Sequence, residues 1–159
     1  PEDIRKYKAL GVLGDSIFEK ELWTINKNSL SRAVAIGLFW GWMPMFFQMI
    51  PAAFCAVYFR ANLPLSLAGV WVSNPITMPP MMYLGYEFGN VILGIDPLFQ
   101  KFEASIEWIS SVFSLIWQPL LAGTLIIGIA SAILGYIGIH LIWKFIAYRI
   151  LKKIRANTK

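Results

Sequence analysis

Apolar residues fall along the chain in three long stretches separated by short polar ones. Ala33 to Phe59, Ala61 to Tyr86 and Trp108 to Trp143 run for 27, 26 and 36 residues without a formal charge. A helix of about 20 apolar residues crosses a bilayer core of roughly 30 Å, so each stretch is long enough to cross. The first, AVAIGLFWGWMPMFFQMIPAAFCAVYF, contains Pro44 and Pro51, each of which removes a backbone donor and opposes a straight helix. The second is interrupted by Ser73-Asn74-Pro75-Ile76-Thr77-Met78-Pro79-Pro80. Three prolines in six residues cannot sit inside an α-helix, so Pro64 to Val72 and Met81 to Leu93 are predicted as separate pieces. The third gives 24 unbroken residues from Leu120 to Trp143, about 36 Å of helix. The stripe Phe102, Ile106, Ile109, Phe113, Ile116 and Trp117 is expected to rest on the outer surface before Pro119 turns the chain inward.

Before the first stretch, residues 1–32 are polar, with Leu10, Val12, Leu13, Ile17, Phe18, Leu22 and Trp23 near helical spacing. An amphipathic helix at a membrane surface and a solvated helix with one packed face both fit this pattern. The mixed charge ahead of the first apolar run does not fit a cleavable signal peptide. Residues 96–107 form an acidic connector, and 148–159 a basic tail.

Composition sharpens the picture. Hydrophobic residues make up 57% and charged ones 14% of the 159, against about 45–50% and 25% in ordinary soluble domains. The net charge of +5 invites a nucleic-acid reading, but the cations flank apolar runs instead of forming one basic face. Six of the fourteen precede residue 33, six follow residue 143, and only Arg60 and Lys101 lie between. Basic clusters beside apolar spans mark the cytoplasmic side and meet anionic lipid. With both termini inside, the number of complete crossings is even while the apolar stretches number three. One run must therefore enter and leave on the same side, or one must cross twice; the proline-broken runs are the candidates, and a re-entrant first or second run is expected, with the connector outside. The expected fold is an all-α integral membrane protein, a helical bundle with proline-broken or re-entrant segments, in which residues 33–147 form the membrane domain.

The stretch from Ser29 to Gly94 resembles the uncharacterised bacterial inner-membrane family catalogued as the domain of unknown function numbered two thousand and sixty-two. The matching features are Arg32, Gly37, Pro44, Gln48, Arg60-Ala61-Asn62-Leu63-Pro64, and above all Trp71-Val72-Ser73-Asn74-Pro75-Ile76-Thr77-Met78-Pro79-Pro80. The resemblance implies a small prokaryotic multi-pass protein, sometimes attached to glycosyltransferase modules. It implies no activity.

Candidate chemistry is sparse. There is no phosphate loop, nucleophile elbow or H-E-x-x-H, so neither an enzyme nor a cofactor is expected, and one Cys with one His makes no thiolate zinc site. The polar groups in or beside apolar runs are Gln48, Arg60, Asn74, Thr77, Glu87, Asn90 and His140. With Pro75 and Pro79, the residues Gln48, Arg60, Asn74, Thr77 and Glu87 form the candidate site. Irregular backbone inside a membrane is tolerated where protein buries it or where it lines a cavity. The helix break therefore reads either as a substrate or ion site of discontinuous helices or as a structural corner capped by Asn74 and Thr77. A weak echo supports the first: Trp40 precedes Pro44, and Trp71 precedes Pro75, by the same four residues. Arg60 either pairs with Glu87 or snorkels to the interface, and His140 is expected at the interface. The six Met gather around the two breaks, which suits adaptable packing better than soft-metal binding.

Two functions stay open: a small transporter or lipid-handling protein, and a non-catalytic anchor, scaffold or accessory subunit. Membrane lipids are the expected partners, together with a second copy or a larger membrane protein. The small-residue pairs Gly37/Gly41 and Gly85/Gly89 and the row Gly128/Ser131/Gly135 suit close helix contact, between copies or within one chain.

Overall fold

The computed structural model describes residues 20–45, 47–96 and 106–157, and all regular structure in them is helical. After a short 3-10 turn at Lys20–Trp23 come α1 (Lys27–Trp42), α2 (Met49–Tyr58), α3 (Leu63–Val70), α4 (Met78–Leu93) and α5 (Ile106–Asn157). Most of the amphipathic N-terminal segment and of the acidic connector expected from the sequence lies outside the described residues.

Local chemistry sets the helix ends. Asn26 caps α1, its side-chain oxygen accepting from the Ser29 amide at 2.8 Å, and Asn62 caps α3 through the Leu65 amide at 3.0 Å. Helix α1 stops because Met43 precedes a proline and is pushed into extended backbone (φ −73, ψ 132). Pro51 does not break the first run a second time. It occupies the opening turn of α2, where a missing N–H has no intrahelical partner to lose. Pro79 and Pro80 likewise sit in the first turn of α4, so that helix begins three residues earlier than the prolines suggest. Helix α4 ends on left-handed Gly94 (φ 64).

The exit from α2 is less ordinary. Arg60 donates its amide to the Val57 carbonyl at 3.1 Å and Ala61 to the Ala56 carbonyl at 2.8 Å, the paired bonds of a Schellman turn. The left-handed position of that turn belongs to Arg60 (φ 51), the one non-glycine residue with positive φ among the described residues.

Tertiary ties give the direction of each helix. The Asn62 amide bonds to the Ser29 carbonyl, and the Arg32 guanidinium donates to the Phe59 carbonyl at 2.9 Å. Helices α1 and α2 therefore form a hairpin whose two ends meet. Helix α3 then runs beside α1 in the same direction, with Gly69 against Gly37 and Val70 against Gly41. Helix α5 runs antiparallel to both α1 and α4. Its Gly128 packs on Phe39, Trp42 and Met43, its Gly135 on Val34 and Leu38, and the His140 ring lies 2.7 Å from the Ser31 hydroxyl. Further back along α5, Thr124 abuts Gly85, and the Pro119 carbonyl abuts Gly89. Helices α3 and α4 thus run in the same direction on either side of the break, α3 packed on α1 and α2 and α4 on α5, and the tip of the α1–α2 hairpin meets them at the break.

Several expectations change. Pro119 lies inside the continuous α5 and turns nothing. The neighbouring helix approaches closely there, with Gly89 against the Pro119 backbone, so packing supports the helix across the missing hydrogen bond. The basic tail is helical as far as Asn157. The small-residue faces are all used within the chain. A Cβ at Gly37 would lie 2.7 Å from Gly69 Cα, and one at Gly89 or Gly123 would overlap a backbone carbonyl of the facing helix.

The interior is built from small residues. Ala33, Ala52, Ala56 and Ala61 are fully buried, as are Ser31 and Ser66, while Phe47, Ile76, Val91 and Leu134 are each at least 70% exposed. Leu22 and Leu120 are also fully buried, but large apolar side chains are far more often exposed than buried. Among the described residues, one helix, α5, is long and apolar enough to cross a membrane, over Ile116–Lys152, and only 6% of its most apolar window is buried.

Candidate functional site

The hairpin tip (residues 43–48) and the α3–α4 break (residues 71–77) are joined by side chains. Gln48 is buried. Its Nε2 donates to the Met43 carbonyl at 2.6 Å and its Oε1 accepts from Ser73 Oγ at 2.8 Å. One amide thus closes the tip on itself and fastens it to the break.

The break is hydrogen-bonded throughout. Asn74 Oδ1 accepts from the amides of Ile76 (2.9 Å) and Thr77 (3.1 Å), an Asx turn. Thr77 Oγ1 accepts from the Asn74 amide at 2.9 Å and donates to the Val72 carbonyl at 2.6 Å. The amides of Trp71, Val72 and Ser73 reach the carbonyls of Ala68, Gly69 and Val70, and Met78 reaches the Asn74 carbonyl at 2.8 Å. Pro75 has no amide hydrogen. Every backbone N–H from Trp71 to Met78 is therefore paired, and the reading of Asn74 and Thr77 as caps of a structural corner describes what they do. No backbone donor of this segment is left over for an anion.

Beside the corner lies a groove of about 760 Å³. Gln48, Asn74, Pro75 and Pro79 line it, so four of the candidate residues come together. The rest of its wall is apolar: Met45, Met49, Met78 and Met82 with Phe47, Ile50, Val70 and Trp71. Behind it, a water-sized void of about 10 Å³ is lined by Met43, Met78, Met81 and Met82 among others. All six methionines of the chain border one space or the other. The unbranched thioether chain can repack around an irregular occupant.

The other candidates are elsewhere. Thr77 lies behind the groove wall, in the cap. Arg60 stands at the α2–α3 turn, whereas Glu87 is half-buried on α4. Helix α4 packs on α5 and has no principal interface with α2 or α3; of the two readings of Arg60, pairing with Glu87 or snorkelling, the first gains no support from the packing. His140 holds α1 to α5. The Ser31 hydroxyl donates to the Lys27 carbonyl at 2.7 Å, leaving its oxygen to accept from His140 Nδ1 at 2.7 Å, and the imidazole stacks on Tyr136.

Two residues were not flagged as site members. Ser73 is the second half of the bridge to Gln48, and a small hydroxyl beside N-P in an apolar run was its signal. Asn90 is 3% exposed, and both polar atoms of its side chain lack a partner. Among the described residues no cluster of three or more His, Cys, Asp or Glu could hold a metal ion.

The sequence model of a family described as an uncharacterized protein conserved in bacteria matches residues 11–151. No curated protein matches, and no solved structure does.

Proposed function

Since the chain belongs to the DUF2062 family of uncharacterized bacterial proteins, its function has to be argued from its own geometry, and we propose a small multi-pass inner-membrane protein that handles lipid at a groove within the bilayer. The observation that carries this is the meeting of the hairpin tip with the helix break at a depth far from either end of the bundle. Gly128, which packs at the tip, is twelve residues from His140 and nine from Pro119, about 18 Å and 14 Å along α5. Those distances bracket the middle of a core of roughly 30 Å.

In this reading the first apolar run re-enters as the α1–α2 hairpin. The second crosses as the interrupted pair α3–α4, and α5 returns. Two crossings keep both termini on the side that carries Lys27, Arg32, Arg60 and Lys144, in keeping with the bias of cations towards the cytoplasm. Discontinuous helices at mid-membrane are where transporters bind substrates. Here the backbone donors of the corner are already paired and the groove wall is mostly apolar, which favours an apolar cargo over an ion or polar solute, and no enzymatic step is assigned. The scaffold alternative draws support from the same satisfied corner, but it gives the groove no role.

Topology and handling are tested separately. With Cys55 replaced by Ala, single substitutions Asn28→Cys, Gln100→Cys and Thr158→Cys are exposed to an impermeant maleimide on intact cells. Only Gln100→Cys should react, and outside labelling of Thr158→Cys would overturn the two-crossing arrangement. In proteoliposomes the protein should speed transbilayer exchange of a fluorescent phospholipid over empty vesicles. No acceleration at any protein density would remove the lipid-handling reading.

A further inference from the structure

Three features off the corner line up along α2. Ala52 and Ala56 turn inward and are fully buried. The opposite face presents Ile50, Phe54 and Tyr58 at successive four-residue steps, exposed by 56%, 44% and 81%. Ile50 is itself part of the groove wall. The stripe rises about 12 Å over those eight residues and ends at Arg60. There the Arg32 guanidinium, donating to the Phe59 carbonyl, brings a second exposed cation to the same corner. Arg60 keeps a left-handed backbone that glycine would adopt without strain. A strained residue retained at a turn points to a use for its side chain.

Building on the bilayer placement above, we infer that α2 is the seat of one anionic diacyl phospholipid, its phosphate on Arg60 and Arg32 and one acyl chain lying along Ile50, Phe54 and Tyr58 into the methionine-lined groove. Length selects this occupant. An acyl chain spans one leaflet, about 15 Å, and the stripe from the Arg60 turn down to Ile50 in the groove wall covers about 12 Å of that before the groove itself begins. A polyprenyl chain, several times longer, would overrun the groove. Charge selects the headgroup, because guanidinium groups bind phosphate by paired, charge-assisted hydrogen bonds. The groove offers the chain's end no unpaired donor from its own backbone segment.

Native mass spectrometry of the full chain, delipidated in mild detergent and then given dioleoyl phosphatidylglycerol, should find one lipid retained per chain. Arg60→Gly, which relaxes the turn, should lower retention about tenfold or more, while Arg60→Lys keeps most of it. Met49→Trp, which fills the groove from a partly exposed position, should weaken the dioleoyl lipid and leave a dioctanoyl lipid, too short to reach it, unaffected. Equal retention of phosphatidylcholine, full retention by Arg60→Gly, or displacement of the phospholipid by an equimolar polyprenyl phosphate would each overturn the assignment. None of these results bears on the labelling pattern, so this inference can fail while the topology stands.

Discussion

Asn74→Ala removes the oxygen that accepts from two consecutive amides, those of Ile76 at 2.9 Å and Thr77 at 3.1 Å. Where water replaces the lost acceptor, each bond is worth about 1 kcal/mol and the variant loses about 2 kcal/mol. Where the corner is dry, each orphaned donor costs about 2 kcal/mol or more, and the loss becomes about 4 kcal/mol or greater. Asn74→Asp separates these cases, because it keeps the acceptor and adds a charge. At the centre of a bilayer an Asp costs about 2.5–3.5 kcal/mol, whereas beside water it costs little. The proposed depth therefore predicts that both variants are destabilised by several kcal/mol, measured by reversible unfolding in mixed detergent micelles against the parent. A loss below about 1 kcal/mol for Asn74→Ala would refute the cap itself. An Asp variant as stable as the parent, beside a weakened Ala variant, would keep the cap and refute the depth.

Gly89→Ala should destabilise by about 3 kcal/mol or more, since its methyl group would overlap the Pro119 carbonyl and rigid backbone cannot yield as a side chain can; unchanged unfolding would mean that α4 and α5 do not pack as described. Asn90→Leu should be neutral or stabilising by about 1–3 kcal/mol, because it removes a buried amide with no partner, and a large loss of stability would reveal a bonded water or ligand there. Arg60→Gly should raise the unfolding free energy of the lipid-free chain by about 1 kcal/mol, opposite in sign to its effect on lipid retention; a destabilised Gly variant would show that the arginine serves the fold.

The helix interruptions were legible because their cause is local. A proline lacks an N–H and disfavours helix in the residue before it, so Pro44 and the Pro75, Pro79 and Pro80 group announce themselves in any context. The pairing of α1 with α2 was not legible. That hairpin rests on Ser29 meeting Asn62 and on Arg32 meeting Phe59, contacts between residues about thirty apart that no local periodicity encodes. Pro119 misled for the converse reason. Its cost to a helix depends on the packing around it, and the helix that packs there, at Gly89, lies thirty residues earlier. Within the site, Asn74 and Thr77 were readable as caps from the Asx and hydroxyl chemistry of the N-P-I-T string. The bridge between Gln48 and Ser73 joins two different runs and was not.

The glycine spacings carry the same lesson further. A G-x-x-x-G pair states that some backbone comes close, and leaves its owner open. Here the owners are the chain's own helices: Gly37 faces Gly69, and Gly85 and Gly89 face the Pro119–Thr124 turn of α5. With those faces used internally, an association between copies would have to run through the large exposed side chains of α2, α4 and α5. In lipid such side chains gain little by meeting one another, because hydrocarbon solvates them equally well. On the proposed bilayer placement, self-association is thereby less favoured than the glycine spacing suggests, and the exposed α2 face that leads from Arg60 to the groove would be left to lipid.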